Sequence, residues 1–257
     1  MASHKRLLWM LLTIVCVFGA ILVSTLRSQS HDRGAKKQHT DKEGMERLEL
    51  LKRTLPVTDS VVIDSTDQKG RAKREAKSKK YNRDVSVVDP NLVTVSDRWE
   101  WAPNMSSLPV EESDAVIIGR VTNAEAYLSS DKTGIYSEFT VETIQILKND
   151  NRTALKVPGF VAVERTGGQV RFPSGHVTVM YVSNLGMPRV GGQYVFFLTH
   201  NFPYKVRRDE DYRILTGYEL LDGRVIPLDS ARMVDFEAHR GKDHGTFLAE
   251  LLTAINK

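Results

Sequence analysis

Tyr136-Ser137-Glu138-Phe139-Thr140-Val141-Glu142-Thr143-Ile144-Gln145-Ile146-Leu147 is the stretch whose reading decides the fold. In an extended chain, successive side chains point to opposite faces. Ser137, Phe139 and Val141 share one face, and Glu138, Thr140 and Glu142 share the other, the alternation of a half-buried strand. Ile144 and Ile146 then take the opposite parity. That switch predicts a bulge near Thr143, an extra residue that bends the strand and moves its apolar face. Long strands bent in this way turn the corners of barrels.

Further short strands lie on both sides of it. Ala115–Val121 is an apolar run, and Ser130-Asp131-Lys132-Thr133-Gly134 is a turn cluster before the long strand. Lys148-Asn149-Asp150-Asn151 turns the chain after it. Phe160–Arg165, Val170–Phe172 and Val177–Val182 read as strands, separated by Thr166-Gly167-Gly168-Gln169 and Pro173-Ser174-Gly175, with Gly167-Gly168 expected as a hairpin turn where glycine permits positive φ. Tyr194-Val195-Phe196-Phe197-Leu198 is apolar on both parities, which predicts a central strand covered on each face. Tyr212–Leu221 and Val225–Leu228 flank Asp222-Gly223, a strong hairpin signal. Strands this short and this regularly spaced predict an all-β domain over residues 108–230. A small OB-like or Greek-key barrel is the expected form, with a β-sandwich as the alternative. Residues 231–257 form a C-terminal segment. In it Phe247, Leu248, Leu251, Leu252 and Ile255 have helical spacing, predicting a helix over 246–256 with Thr246 as N-cap.

Several of these stretches also carry a family resemblance, over about residues 112–225. Ser113-Asp114-Ala115-Val116-Ile117-Ile118-Gly119-Arg120-Val121 resembles the opening strand of a loosely defined family of exported bacterial proteins. The resemblance continues at Ile135–Phe139, at Ile146-Leu147-Lys148, at Gly167-Gly168 and at Gly191–Leu198. It implies an OB-fold, netrin/TIMP-like domain. A TIMP-like inhibitor ligates its target's metal through an N-terminal cysteine; this chain has no cysteine there, so that mechanism does not carry over.

The N-terminal third is unlike the rest. Residues 1–6 form a short basic tail, and Leu7 to Leu26 is an uncharged run. As a helix that run would span roughly 30 Å, the hydrocarbon thickness of a bilayer. It predicts a single-pass transmembrane signal anchor in contact with the lipid bilayer, with the β domain outside the cytoplasm. Secretion after signal cleavage is the alternative. Residues 27–107 are polar and read as a mostly disordered linker. Within it Met45, Leu48, Leu51 and Leu55 have the spacing of a short amphipathic helix, and Trp99 and Trp101 would seal one edge of the domain. Residues 69–83 are strongly basic. Lys69, Arg71, Lys73, Arg74, Lys77, Lys79, Lys80 and Arg83 stand against Glu75 alone. They are candidates for binding a polyanion or an anionic surface.

Charge is distributed to match. The net charge of +4 conceals 18 Lys/Arg against 10 Asp/Glu in residues 1–85, and 13 against 15 in residues 108–230. The folded part is therefore near neutral, and nucleic acid is not an expected partner. The single cysteine, Cys16, lies in the apolar run, which excludes an intramolecular disulfide and a cysteine-based metal site in the domain.

Chemistry is sparse in the rest. His176, His200, His239 and His244 do not form a His-Glu-x-x-His motif. Ser174 lies between two strands, without the strand-to-helix setting of a nucleophile elbow. Glu138 and Glu142 would stand about 13 Å apart on one strand face, too far for paired-carboxylate hydrolysis. Lys205-Val206-Arg207-Arg208-Asp209-Glu210-Asp211 reads as a solvated charged loop. No catalytic residue, metal or cofactor is assigned. The expected function is a membrane-tethered, non-catalytic binding or assembly module of the bacterial envelope, whose partner is another envelope protein. An envelope hydrolase with a loop-borne site and a polyanion binder acting through residues 69–83 are the alternatives.

Overall fold

The computed structural model describes residues 55–59, 68–82, 94–96, 105–149, 155–201, 208–230 and 234–257. The apolar run 7–26, Trp99 and Trp101, and Met45, Leu48 and Leu51 of the amphipathic set lie outside them. Among the described residues, no helix is long and apolar enough to cross a membrane.

The protein is mostly β with a C-terminal helix. Its strands are β1 (Val57–Asp59), β2 (Thr94–Ser96), β3 (Ala115–Leu128), β4 (Ile135–Asn149), β5 (Gly159–Thr166), β6 (Gly168–Arg171), β7 (Val177–Val182), β8 (Gln193–Asn201), β9 (Arg208–Leu221) and β10 (Arg224–Pro227). The helices are α1 (Gln68–Lys79) and α2 (His244–Ile255), with a short 3-10 turn at Phe236–His239. Six strands form the main sheet in the order β10-β9-β5-β4-β3-β8, and β8 also pairs with β9. The ladder therefore runs β9–β5–β4–β3–β8 and returns to β9. Its β5–β9 contact is parallel, while the other pairings of that circuit are antiparallel.

The bulge expected near Thr143 is present. Ile118 pairs with Gln145 and Gly119 with Thr143, so Ile144 has no residue opposite it on β3. Phe139 and Val141 pack in one core upstream of the bulge, and Ile146 packs against the same core beyond it. A second shift leaves Leu147 unpaired, and Leu147 packs against a different core.

Two main cores lie on opposite faces of β3 and β8. The first contains Ala115, Ile117, Val121, Phe139, Val141, Val163, Phe196, Leu198 and Ile214, with the ring of Tyr194. The second contains Val116, Ile118, Val195, Phe197, Tyr218, Phe236, Phe247 and Leu251. Alternate residues of Tyr194–Leu198 thus feed the two cores, which is why this strand is apolar throughout. α2 supplies Phe247 and Leu251 to the second core. It begins two residues earlier than expected, because Asp243 rather than Thr246 is its N-cap. The Asp243 carboxylate accepts from the Thr246 N–H at 3.1 Å.

Two further expectations are corrected. Gly167-Gly168 is not a hairpin turn. It carries the chain from β5 in the main sheet into β6 of a second sheet, ordered β1-β6-β7-β2. Gly168 has φ +141°, and a Cβ there would stand 2.6 Å from Ser137 Oγ, so a side chain has neither the conformation nor the room. Arg208 to Asp211 are not a loop; they open β9. By contrast, Asp222-Gly223 makes the expected two-residue hairpin. Both residues have positive φ, and Leu221 pairs with Arg224 across it.

The segment read as a spacer also contributes regular elements. β1 adds in parallel to β6, β2 adds in parallel to β7, and α1 packs on the main sheet through its side chains. Each piece is too short or too polar to hold structure alone; the order comes from tertiary pairing. Leu55, just before β1, is buried in the first core.

One buried ion pair fastens the connection after β7 to the main sheet. Arg165 on β5 donates through Nη2 to both carboxylate oxygens of Asp229 at 2.6 Å, and both side chains are fully buried. Asp229 also accepts from the Gly186 N–H and from the Thr216 hydroxyl, at 2.9 and 2.8 Å. Removing one partner strands the other charge in the interior. Asp229→Ala is therefore expected to lower unfolding stability by about 3–5 kcal/mol, measured by denaturant titration of the full chain. A loss below about 1 kcal/mol would contradict this role.

Candidate functional site

Among the described residues, a dense constellation of charged and aromatic side chains lies where α1 crosses β4, β5 and β9. On the sheet side, Glu138 of β4 stands directly opposite Glu164 of β5. Asp211 enters from β9, beside the short parallel β5–β9 ladder. Tyr127 and Tyr136, cross-strand partners on β3 and β4, form the aromatic part of the face.

On the helix side, four residues reach this face at spacings of three, four and seven. Arg74 pairs with Glu138, and its guanidinium lies 3.8 Å from the centre of the Tyr127 ring. Lys77 reaches Glu164 at 2.8 Å, Asp211 at 3.2 Å and Glu138 at 3.5 Å. Ser78 contacts the Tyr136 hydroxyl at 3.2 Å. Just past the helix, the Tyr81 ring stacks on Tyr136 with centroids 4.2 Å apart, and its hydroxyl donates to Glu164 at 2.7 Å. Asn82 accepts from the Ser130 hydroxyl and the Asp131 N–H, tying the end of α1 to the turn between β3 and β4.

The electrostatics follow from this crowding. Burial alone would push the Lys77 ammonium down, but Glu164, Glu138 and Asp211 override it and hold its pKa well above the ordinary lysine value. Burial pushes the Glu164 carboxyl up, and Lys77 and Lys80 only partly offset it. Asp211 is also penalised by burial, yet Lys77 and Lys80 hold it below the usual carboxylate range. Burial, reinforced by Glu164, pushes the Tyr81 phenol well up, so Tyr81 acts as a hydrogen-bond donor at neutral pH.

The residues singled out as a polyanion arm divide here. Arg74, Lys77 and Lys80 face internal carboxylates. Lys73 and Lys79 are exposed, and Lys79 pairs with Glu75 along the helix. Lys69 and Arg71 lie in α1 as backbone positions, and Arg83 lies outside the described residues. The carboxylates that complete the face, Glu138, Glu164 and Asp211, were not legible as a site, because they come from three strands far apart in sequence. Among the described residues, no group of three or more His, Cys, Asp or Glu side chains is arranged to hold a metal ion.

A second polar cluster lies under α2. Ser107 Oγ is 3.0 Å from His239 Nε2, and His239 Nδ1 is 3.7 Å from a Glu250 oxygen, beyond hydrogen-bond reach. That carboxylate is held by Lys242 at 2.7 Å. The Tyr218 hydroxyl donates to the Ser107 carbonyl at 2.5 Å, and Tyr218 and Phe247 pack edge-on against the His239 ring. The arrangement pins the 105–110 segment to the second core.

Compared with known protein families and with curated proteins, the chain matches none.

Burial, with a contribution from Lys242, holds the His239 imidazole below its ordinary pKa of 6.5. Between the folded value and 6.5 the unfolded chain binds a proton that the folded chain rejects, so stability is lost as pH falls from about 6.5 through the folded value and levels off below it. The unfolding midpoint is expected to decrease on acidification from about pH 7.5 to about pH 5. His239→Gln should flatten that decrease; an unchanged slope would place its origin elsewhere.

Proposed function

We propose that the protein is a non-catalytic binding or assembly module of the bacterial cell envelope. Residues 7–26 hold it to the bilayer, and its β domain lies on the extracytoplasmic side. We assign that domain to the OB, netrin/TIMP-like type of small barrel. The ladder circuit through β3, β4, β5, β9 and β8, with its parallel β5–β9 contact, supports that assignment.

The observation that carries the reading is the face formed by Tyr127, Tyr136, Glu138, Glu164 and Asp211. Its side chains seize an eight-residue stretch by ion pairs, a cation–π contact, a ring stack and a hydroxyl–carboxylate bond. Such a surface recognises a polypeptide through side chains and needs no reacting group. On this reading the partner is another protein of the envelope. Full-length chain should co-float with liposomes, and it should retain a specific partner from detergent-solubilised membranes of its host. Deleting residues 1–26 should abolish flotation. Flotation that survives the deletion would remove the tether, and recovery of no partner above background would remove the module.

Among the described residues, the foothold of the hydrolase alternative is the Ser107–His239 contact. An active Ser–His pair needs a third group orienting the imidazole, and Glu250 stands too far to accept from Nδ1. A fluorophosphonate probe is therefore expected to leave Ser107 unmodified. Stoichiometric labelling that is lost in Ser107→Ala would reverse the choice between the two readings.

A further inference from the structure

The face beneath α1 is built to need a cation. Glu138 and Glu164 are directly opposed on neighbouring strands, and like charges so placed repel. Asp211 adds a third carboxylate within reach of the same ammonium group. Glu164 is buried, at 1% exposure, so water screens this repulsion poorly. What neutralises the face is a segment of the same chain.

That segment meets the face in one register. Arg74, Lys77, Ser78 and Tyr81 stand at i, i+3, i+4 and i+7, the positions of a single helical stripe. Lys77, Ser78 and Tyr81 are buried against the sheet, while Ala72, Lys73, Glu75, Ala76 and Lys79 are exposed. The chemistry of the stripe is specific. A guanidinium lies over Tyr127, an ammonium sits among three carboxylates, a hydroxyl meets the Tyr136 phenol, and a tyrosine ring stacks on Tyr136.

We propose that the Tyr127–Tyr136–Glu138–Glu164–Asp211 face is a receptor site for a basic helical segment of a partner protein. The partner segment carries Arg or Lys at i and i+3 and an aromatic residue at i+7, and α1 is the occupant that it must displace. This rests on the binding-module reading and names the chemistry of its partner. Charge complementarity commits the site to a cationic polypeptide, because an anionic polymer would meet three carboxylates. α1 belongs to the same chain as the face, so it competes as an intramolecular ligand at a high effective concentration. A partner segment of equal intrinsic affinity would therefore bind the intact chain only weakly, and weakening the contacts of α1 would admit it.

The test uses full-length chain and a fluorescent synthetic peptide with the sequence of residues 68–83, followed by fluorescence anisotropy. The double variant Lys77→Ala/Tyr81→Ala is expected to bind the peptide at least about tenfold more tightly than the intact chain does. Adding Glu138→Gln and Glu164→Gln to that variant should abolish the gain. Raising salt from about 0.1 M to about 0.5 M should weaken binding. Arg74→Ala, at a partly exposed position, provides a second opened variant whose fold is checked by near-ultraviolet circular dichroism. Equal binding by intact and opened chains would overturn the proposal, and so would binding that ignores the two carboxylate substitutions. A chain that captures an envelope partner but rejects this peptide refutes the receptor site alone. A chain that binds the peptide but captures no partner refutes the module reading, and the receptor role of the face falls with it.

Discussion

A single unpaired residue, Ile144, sets the geometry on which the rest depends. Because a strand presents alternate residues to alternate faces, a shift of one position exchanges every inward side chain for an outward one. Upstream of Ile144, β4 places Phe139 and Val141 in the first core; downstream, the extra residue returns Ile146 to the same core. Without it Ile146 would face out, and the amide of Gln145, now exposed, would take its place inside. The next shift, at Leu147, sends that side chain to the second core. β3 and β8 can then serve both cores at once, and α2, the 3-10 turn and the 105–110 segment have an apolar surface to cover. The charged face on β4 is upstream of the bend, where the polar parity of the strand still points outward.

That charged face is an uncommon use of a lysine. Taking an ammonium out of water costs several kcal/mol, and pairing recovers it only when the geometry is good. Lys77 is surrounded by Glu164, Asp211 and Glu138, and its own burial is opposed by all three. Such an arrangement adds little net strength over an apolar contact of the same shape, but it is selective, because an uncharged or displaced residue would leave the buried Glu164 carboxylate without its ammonium partner. The ring stack of Tyr81 on Tyr136 supplies apolar contact on the same stripe.

Much of the architecture was legible because it is periodic. The parity switch near Thr143 announced the bulge. The two-sided apolarity of Tyr194–Leu198 announced a strand shared by two cores, and Asp222-Gly223 announced its hairpin. What was illegible depended on distant partners. Gln68–Lys79 is polar on all sides by composition, and only the carboxylates of three other elements make a stripe of it. Val57–Asp59 and Thr94–Ser96 are too short to show a period, and they become strands by joining β6 and β7. Asp211 read as a solvated loop residue because its neighbours are charged; its place beside Lys77 is a property of the sheet. Thr246 looked like a helix cap because the apolar spacing begins there, but the carboxylate of Asp243 captures the first free amides earlier.

β1 and β2 have a consequence beyond their few residues. The β6–β7 hairpin would, by itself, offer an open row of amides and carbonyls on each flank, and such rows recruit strands from other molecules. Here both flanks are occupied from within, and the outer side of β10 is met at Arg224 by Asp243. The outer flanks of the second sheet thus pass from β6 and β7 to β1 and β2, three residues each, and a row that short offers a strand of another molecule little to pair with.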